Sequence, residues 1–314
     1  MAQTDQHLIA TVINYCSNDY RFINKCIEEV KTFSDQIIIP VCDHFFDGTP
    51  ENKNLLKLTY SENPSAQFIE YKFYPDKIYS PYKKYAANSI ENRHLWHSTS
   101  RYISYFFLKE TIQYVLFIDA DEIYEGNRFK RWLDKQEYKN FDALRIGSYI
   151  YFSFEDKIFR GDLPQIFGLM AKKTALEPNL LLAEGERFAT FKYINGLKKH
   201  MVLDRQYLPM SHHFSWVRTK QEKLKKVKSW GHFADKPWED LVCSEKEIFL
   251  KKNKDPYYEM NLVPAQKLFF NPLDTTPCLQ EKLKKTSNDK TFPNVYKTNR
   301  EEMFEKEIKL RHGF

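Results

Sequence analysis

Residues 114–123 read YVLFIDADEI, a short apolar run broken off by carboxylates. Such a run, rich in β-branched and aromatic side chains and bounded by charge, is the pattern of a buried strand in a sheet covered on both faces. In open α/β sheets ligands bind outside the carboxyl ends of the strands, so Asp119 and Asp121 stand where a site would form. Residues i and i+2 of an extended chain point the same way, so both carboxylates can address one hard cation, and a hard cation suits a diphosphate. A solvated acidic loop or a helix N-terminus shows the same triplet. The surrounding sequence has to decide between these readings.

Upstream, residues 7–15 (HLIATVINY) form another buried-strand pattern that runs into polar CSND. Residues 21–33 then place Phe22, Ile23, Cys26, Ile27 and Val30 at near-helical spacing, and residues 36–41 return to strand. Strand, helix and strand within about 40 residues predict a right-handed β-α-β unit with parallel strands. The loop at 43–51 (DHFFDGTPE) predicts a helix over 51–60, with Thr49 as N-cap and Pro50 at the first helical position. Residues 66–73 read as strand, 80–89 have no clear period, and 91–110 read as a long helix with Ile103, Phe106 and Phe107 on one face. Downstream the pattern predicts a short helix at 128–134, strands at 143–154, 165–171 and 188–193, and helices over 218–230 and 238–252. Prolines at 256, 264, 272, 277 and 293 predict a partly extended C-terminal extension. The expected fold class is α/β, with a Rossmann-like, mostly parallel central sheet flanked by helices.

The chain has 314 residues, a net charge of +6, and 42% apolar and 16% aromatic residues, which excludes a disordered chain. No apolar run approaches the roughly 18–20 residues of a membrane-spanning helix. The polar start, Met1 to His7, lacks the pattern of a secretory leader, so a cytoplasmic protein is expected. The five cysteines include no Cys-x-x-Cys pair, which argues against a disulfide scaffold or a thiolate zinc site. Neither a Gly-x-Gly-x-x-Gly nor a Walker stretch occurs among the nine glycines, so a phosphate must be held in another way.

Three patches carry a resemblance: QIIIPVCDHFFDGTPE at 36–51, FIDADEI at 117–123, and SHHFSWVRTKQEKLKKVKSWGH at 211–232. Over roughly residues 8–232 the chain resembles nucleotide-sugar glycosyltransferases of the GT-A fold, of the family 2 and family 17 kind. The resemblance implies a metal-dependent, inverting transfer of a sugar from a nucleotide sugar, most simply a UDP-sugar, to a hydroxyl acceptor on a glycan, with Mn²⁺ or Mg²⁺. It also implies a glycosyltransferase domain over 1–252, with a nucleotide-binding half (about 1–125) and an acceptor-side half (about 126–252), followed by an extension over 253–314. Asp43 falls on the nucleoside-binding acid, Asp119 on the D-x-D residue that meets ribose or metal, Asp121 on the metal ligand and His213 on the motif histidine.

The residue chemistry fits that assignment. A neutral imidazole is a good third ligand for a divalent ion already held by carboxylates, and an extended segment points His212 and His213 to opposite faces, so only one of them serves. Arg218, Lys220 and Arg101 are candidate diphosphate contacts that would neutralise the leaving group. The lysines at 220, 223, 225, 226 and 228 are equally the solvated face of an amphipathic helix. Inversion needs a carboxylate base for the acceptor hydroxyl, and Glu186, Glu184 and Asp162 are the candidates. The aromatic stretch 149–154 is a candidate platform for the acceptor. Two other readings remain: sugar transfer onto a modified, extruded DNA base, and a non-catalytic nucleic-acid-binding module using the Lys-rich helix, for which no recognition signature occurs. A sugar nucleotidyltransferase would need a Gly-rich N-terminal loop, and NYCSND has no glycine.

Overall fold

The computed structural model describes residues 8–82, 94–182, 186–232, 235–275 and 291–313, without the side chains of Glu186 and Thr275. Strand β1 (Ile9–Asn14), helix α1 (Tyr20–Val30) and strand β2 (Gln36–Cys42) make the expected β-α-β unit, with Ala10 beside Gln36 in parallel register. Helix α1 buries the five apolar residues that the spacing singled out. Strand β3 (Gln67–Tyr71) adds in parallel to β2, whereas β4 (Tyr114–Asp119) pairs in parallel with the other side of β1, from Ile9–Tyr114 to Asn14–Asp119. Growth of the sheet therefore reverses between β1 and β4, and a crevice opens at their carboxyl ends.

Beyond β4 the sheet is mixed, its next pairings antiparallel. Strand β8 (Gln165–Lys172) pairs with β4, and the twelve-residue β6 (Ala143–Phe154) pairs with β8. The outer strands there are β7 (Lys157–Gly161) and β11 (Leu262–Pro264). Strand β10 (Ser211–Trp216) lies parallel to β6 and antiparallel to the short β5 (Glu122–Tyr124), and β9 (Lys198–Val202) also pairs with β6.

Eight helices are found among the described residues, and the alternation of the strands distributes them. Ile9 and Ile13 of β1 face an apolar layer shared with α1, α2 (Lys53–Glu62) and α4 (Gly126–Leu133). Ala10 and Val12 face the layer shared with α3 (His94–Tyr105), α5 (Glu186–Tyr193) and α8 (Arg300–His312). A third cluster joins β6 to α6 (Lys220–Ser229) and α7 (Trp238–Lys252) around Trp216, whose ring stacks on Tyr257 at 3.6 Å between centroids. The molecule is thus α/β, with a parallel, Rossmann-like half covered by helices.

Four readings change. Helix α2 starts at Lys53 under Asn52, whose side chain accepts from the amides of Asn54 and Leu55 at 3.2 Å each. Thr49 instead donates its amide and hydroxyl to Asp47, so its oxygen is committed to a turn. Residues 188–193 are helix, not strand: Arg187, Thr190, Phe191 and Ile194 are buried together with Ala189, and i, i+3, i+4, i+7 is one helical face. The long helix read over 91–110 is α3, ending at Tyr105; residues 83–93, which include much of the aperiodic stretch, lie outside the described residues. Finally, residues read as an appended extension supply both edges of the sheet: β11 on β7, and β12 (Val295–Thr298) parallel to β3. Among the described residues no helix is long and apolar enough to cross a membrane.

Candidate active site at the carboxyl ends of β1 and β4

A cavity of about 270 Å³ opens where the sheet reverses, lined by the loops after β1, β2 and β4 and by side chains from α3, β10 and α6. At its floor Asn14 and Asp119, the last residues of β1 and β4, are register partners. Ser100 of α3 donates to the Asn14 side-chain oxygen at 2.5 Å, which turns the Asn14 amide onto Asp119 Oδ1 at 3.1 Å. Two residues on, the Asp121 carbonyl accepts from the amide of Phe214, which ties the acidic turn to β10.

Asp121 is buried and faces cations: Lys226 Nζ and Arg218 Nη2 reach Oδ2 at 2.9 and 3.0 Å, and His213 Nε2 lies 3.3 Å from Oδ1. Burial opposes ionisation, but Lys226, His213 and Arg218 hold its carboxyl well below the usual carboxylate range. Asp119 is more open and is held by Arg187, whose Nη2 donates to Oδ2 at 2.9 Å. The same guanidinium donates to both oxygens of Glu122 at 2.7 Å, and burial raises the Glu122 carboxyl despite that partner. Across the cavity, Glu51 accepts from the Ser17 and Asn52 amides, and burial pushes it up to about 7 although those bonds and Lys225 oppose the shift.

The structure brings Asp119, Asp121 and His213 to one cavity and separates the histidine pair as the alternation requires. His212 points away, with Nδ1 on the Tyr151 hydroxyl at 2.8 Å and Nε2 on Glu125 at 3.0 Å. Of the lysines, it is Lys226 that reaches Asp121; Lys220 is exposed and extends toward the Cys243 carbonyl at 3.5 Å. Helix α6 is fixed for this by a capping box in which Thr219 and Glu222 bond reciprocally. Arg218 is fully enclosed, clamping Asp19, Asp121 and the carbonyls of Asn18 and Ser215 behind the cavity wall. Arg101 is likewise buried inside α3, donating to Ser98, and does not line the cavity.

Asp43 is half exposed and accepts from the Phe73 amide at 2.8 Å beside His44; its neighbours Cys42 and His44 line the cavity, and Asp43 does not. Asp162 sits at the outer edge of the sheet, bonded to Asn261, and is not a lining residue. Glu184 lies outside the described residues, and Glu186 is described only as the first residue of α5. The aromatic stretch 149–154 is packed into the sheet layers, and the rings in the cavity wall include Phe45, Phe46, Phe167, Phe188, Trp230 and Tyr258. Glu51, Arg145 and Arg187 escaped the sequence reading. The one local signal for Arg187 was its place beside Glu186, a candidate base.

A second group of ligand-type side chains stands by the cavity. Atoms of His94, His232 and Asp235 lie within 4.8 Å of one another, with His232 Nδ1 2.9 Å from Asp235, and His232 also lines the cavity.

No protein-family model matches the chain, and no curated protein matches it in sequence. Among solved structures, 4-diphosphocytidyl-2C-methyl-D-erythritol synthase from Anaerococcus prevotii aligns at 10% identity and a TM-score of 0.38, over 67% of this chain and 92% of that one. TarS of S. aureus, residues 1–349, aligns at 11% identity and a TM-score of 0.38, over 78% and 72% of the two chains. An active-site mutant of LgtC aligns at 9% identity and a TM-score of 0.34, over 65% and 86%.

Proposed function

We propose that the protein is a metal-dependent, inverting glycosyltransferase that takes a sugar from a nucleotide sugar, a UDP-sugar in the first instance, to a hydroxyl acceptor on a glycan. The observation that carries the reading is the buried Asp121 carboxylate at the sheet's switch point, with His213, Lys226 and Arg218 around it. The donor set suits a hard divalent cation. The 3.3 Å between His213 Nε2 and Asp121 Oδ1 is close to the roughly 3 Å that separates adjacent ligands of an octahedral ion with bonds near 2.1 Å. Asp121 and His213 would hold Mn²⁺ or Mg²⁺, which when bound supplies charge stabilisation for the diphosphate leaving group.

The chain's own residues do the rest. Lys226 places a second positive charge at the same carboxylate and can follow the diphosphate as negative charge grows on it. Arg187 fixes Asp119, leaving it poised for the ribose or the ion. The nucleoside is assigned to the loops after β1 and β2, where Phe45, Cys42 and Glu51 line the wall, with Asp43 behind them holding the Phe73 amide. The base that accepts the acceptor's proton is assigned to Glu186 or Glu184 on their place in the sequence next to Arg187, which itself reaches Asp119.

The test is a thermal-shift series with nucleoside diphosphates and UDP-sugars, each with and without Mn²⁺, because a ligand of the native state at about 100 times its Kd stabilises by about 2.7 kcal/mol. A shift with UDP or a UDP-sugar that requires Mn²⁺ supports the reading. Well-folded protein that shifts with no nucleotide refutes it.

A further inference from the structure

Nearly every cation in and behind the cavity wall has its acid. Lys226 faces Asp121, Arg187 is shared by Asp119 and Glu122, and Arg218 is shared by Asp19 and Asp121. Arg145 of β6 makes no ion pair among the described residues. It is 5% exposed and lines the cavity beside Phe167, Arg187 and Phe188. Its Nη2 donates to the carbonyls of Ile166 and Phe167 at 3.1 Å each, while its buried Nε and Nη1 meet no hydrogen-bond acceptor among the described residues. The acid that acts on it, Glu122, has both oxygens taken by Arg187.

Burial and the neighbouring Arg187 push the guanidinium down to about 10, which leaves it charged at neutral pH. A buried cation without a counter-ion costs several kcal/mol, and a neutral hydroxyl in contact with it supplies a hydrogen bond but not the missing charge. Phe188, whose ring lies 5.8 Å from the guanidinium and whose own surface is exposed, narrows the access from solvent without supplying a counter-charge. Two donors of a cation that lines the cavity therefore lack an acceptor among the described residues, and a ligand that displaces the packing around them could supply it.

We propose that Arg145 anchors an anion subsite on the α5 side of the cavity, and that a substrate held there carries a carboxylate or phosphate in addition to the nucleotide's diphosphate. The proposal refines the substrate class of the nucleotide-sugar reading and rests on it. The oxyanion has two sources: the transferred sugar, as a uronate, or the acceptor, as a phosphorylated or carboxylated sugar.

Calorimetry on the wild-type protein and on Arg145→Gln separates the sources. UDP-glucuronate is compared with UDP-glucose in the presence of Mn²⁺, and glucose 6-phosphate with glucose on protein saturated with UDP. One charged probe should bind about tenfold or more tighter than its neutral partner, and Arg145→Gln should bring that ratio to within about twofold while UDP affinity is kept. The arm that responds names the source. Equal binding within both pairs, or a preference that survives in Arg145→Gln, overturns the subsite. If UDP itself does not bind, the nucleotide reading fails on its own; glucuronate and glucose 6-phosphate against glucose on the free protein then test the subsite, and no preference there overturns it as well. The unliganded variant supplies a second check. Removing an unpaired buried charge should leave Tm unchanged or raise it, whereas a fall of more than about 5 °C would make Arg145 a brace for the β8 carbonyls and overturn the proposal.

Discussion

His212 and His213 are adjacent in sequence and face opposite ways, and strand alternation is the reason. His213→Ala should remove the Mn²⁺ dependence of nucleotide binding in calorimetric titrations and leave the fold in place. His212→Ala should keep that dependence and cost about 1–3 kcal/mol in urea unfolding, because Tyr151 and Glu125 lose a buried partner. The reverse pattern would exchange the two assignments. Asp121 is a poorer probe: removing it strands Lys226 and Arg218 without their shared carboxylate, an expected loss of about 3–5 kcal/mol that would mask the loss of chemistry. Glu51 offers a pH signature. Its carboxyl is raised from an ordinary 4.5 to about 7, so the folded protein keeps a proton that the unfolded chain releases. The stability linked to that proton is fully present below about pH 4.5 and is lost as pH rises through about 7. Glu51→Gln should flatten this part of the profile, gaining up to about 3 kcal/mol relative to wild type between pH 5 and 8. Parallel profiles for the two proteins would show that Glu51 ionises normally.

At the scale of elements, the site depends on how α1, α4 and α6 are seated. Helix α4 begins at Gly126, whose amide donates to Glu29 Oε2 at 2.7 Å and whose Cα lies hard against the end of α1. A Cβ there would stand 2.3 Å from the Glu29 carbonyl oxygen and 2.4 Å from Thr32 Oγ1. Gly126→Ala should therefore cost about 1–3 kcal/mol by chemical denaturation, and a neutral result would mean that the two helices part without penalty. Most elements were legible because their apolar spacing is local: α1, α6, α7 and the strands β1, β2 and β4 emerge from periodicity alone. Helix α5 was misread because Phe188 to Tyr193 is short and aromatic, and periodicity over six residues does not separate strand from helix. Strands β5, β9, β11 and β12 are three to five residues long, and their pairing partners, not their composition, make them strands.

At the scale of the molecule, the C-terminal residues close the sheet. Strand β12 covers the edge of β3, and α8 seats Met303 and Glu307 in the interior, where Glu307 accepts from Ser80 at 2.7 Å and from Tyr102 at 2.6 Å. Truncation before residue 291 should yield insoluble protein, because it bares a strand edge and an apolar layer together. Glu307→Ala, the milder change, should lower the urea midpoint by an amount equal to about 1–3 kcal/mol. A truncated chain that stays soluble with an unaltered midpoint would make the extension dispensable. What the sequence by itself determined is the parallel β-α-β opening, the placing of Asp119 and Asp121 at a strand end, and the rule that His212 and His213 face opposite ways, since each follows from periods of two or 3.6 residues along a continuous stretch. The tertiary structure alone decided that Glu51, Arg145 and Arg187 share a cavity with Asp119 and Asp121, that Lys226 and not Lys220 reaches Asp121, and that Asp43 and Asp162 stay outside it. Charged side chains carry no period that names their partners; those are set by which strands pair and which helix faces meet, across separations of 65 to 105 residues for Arg187 with Glu122 and Lys226 with Asp121.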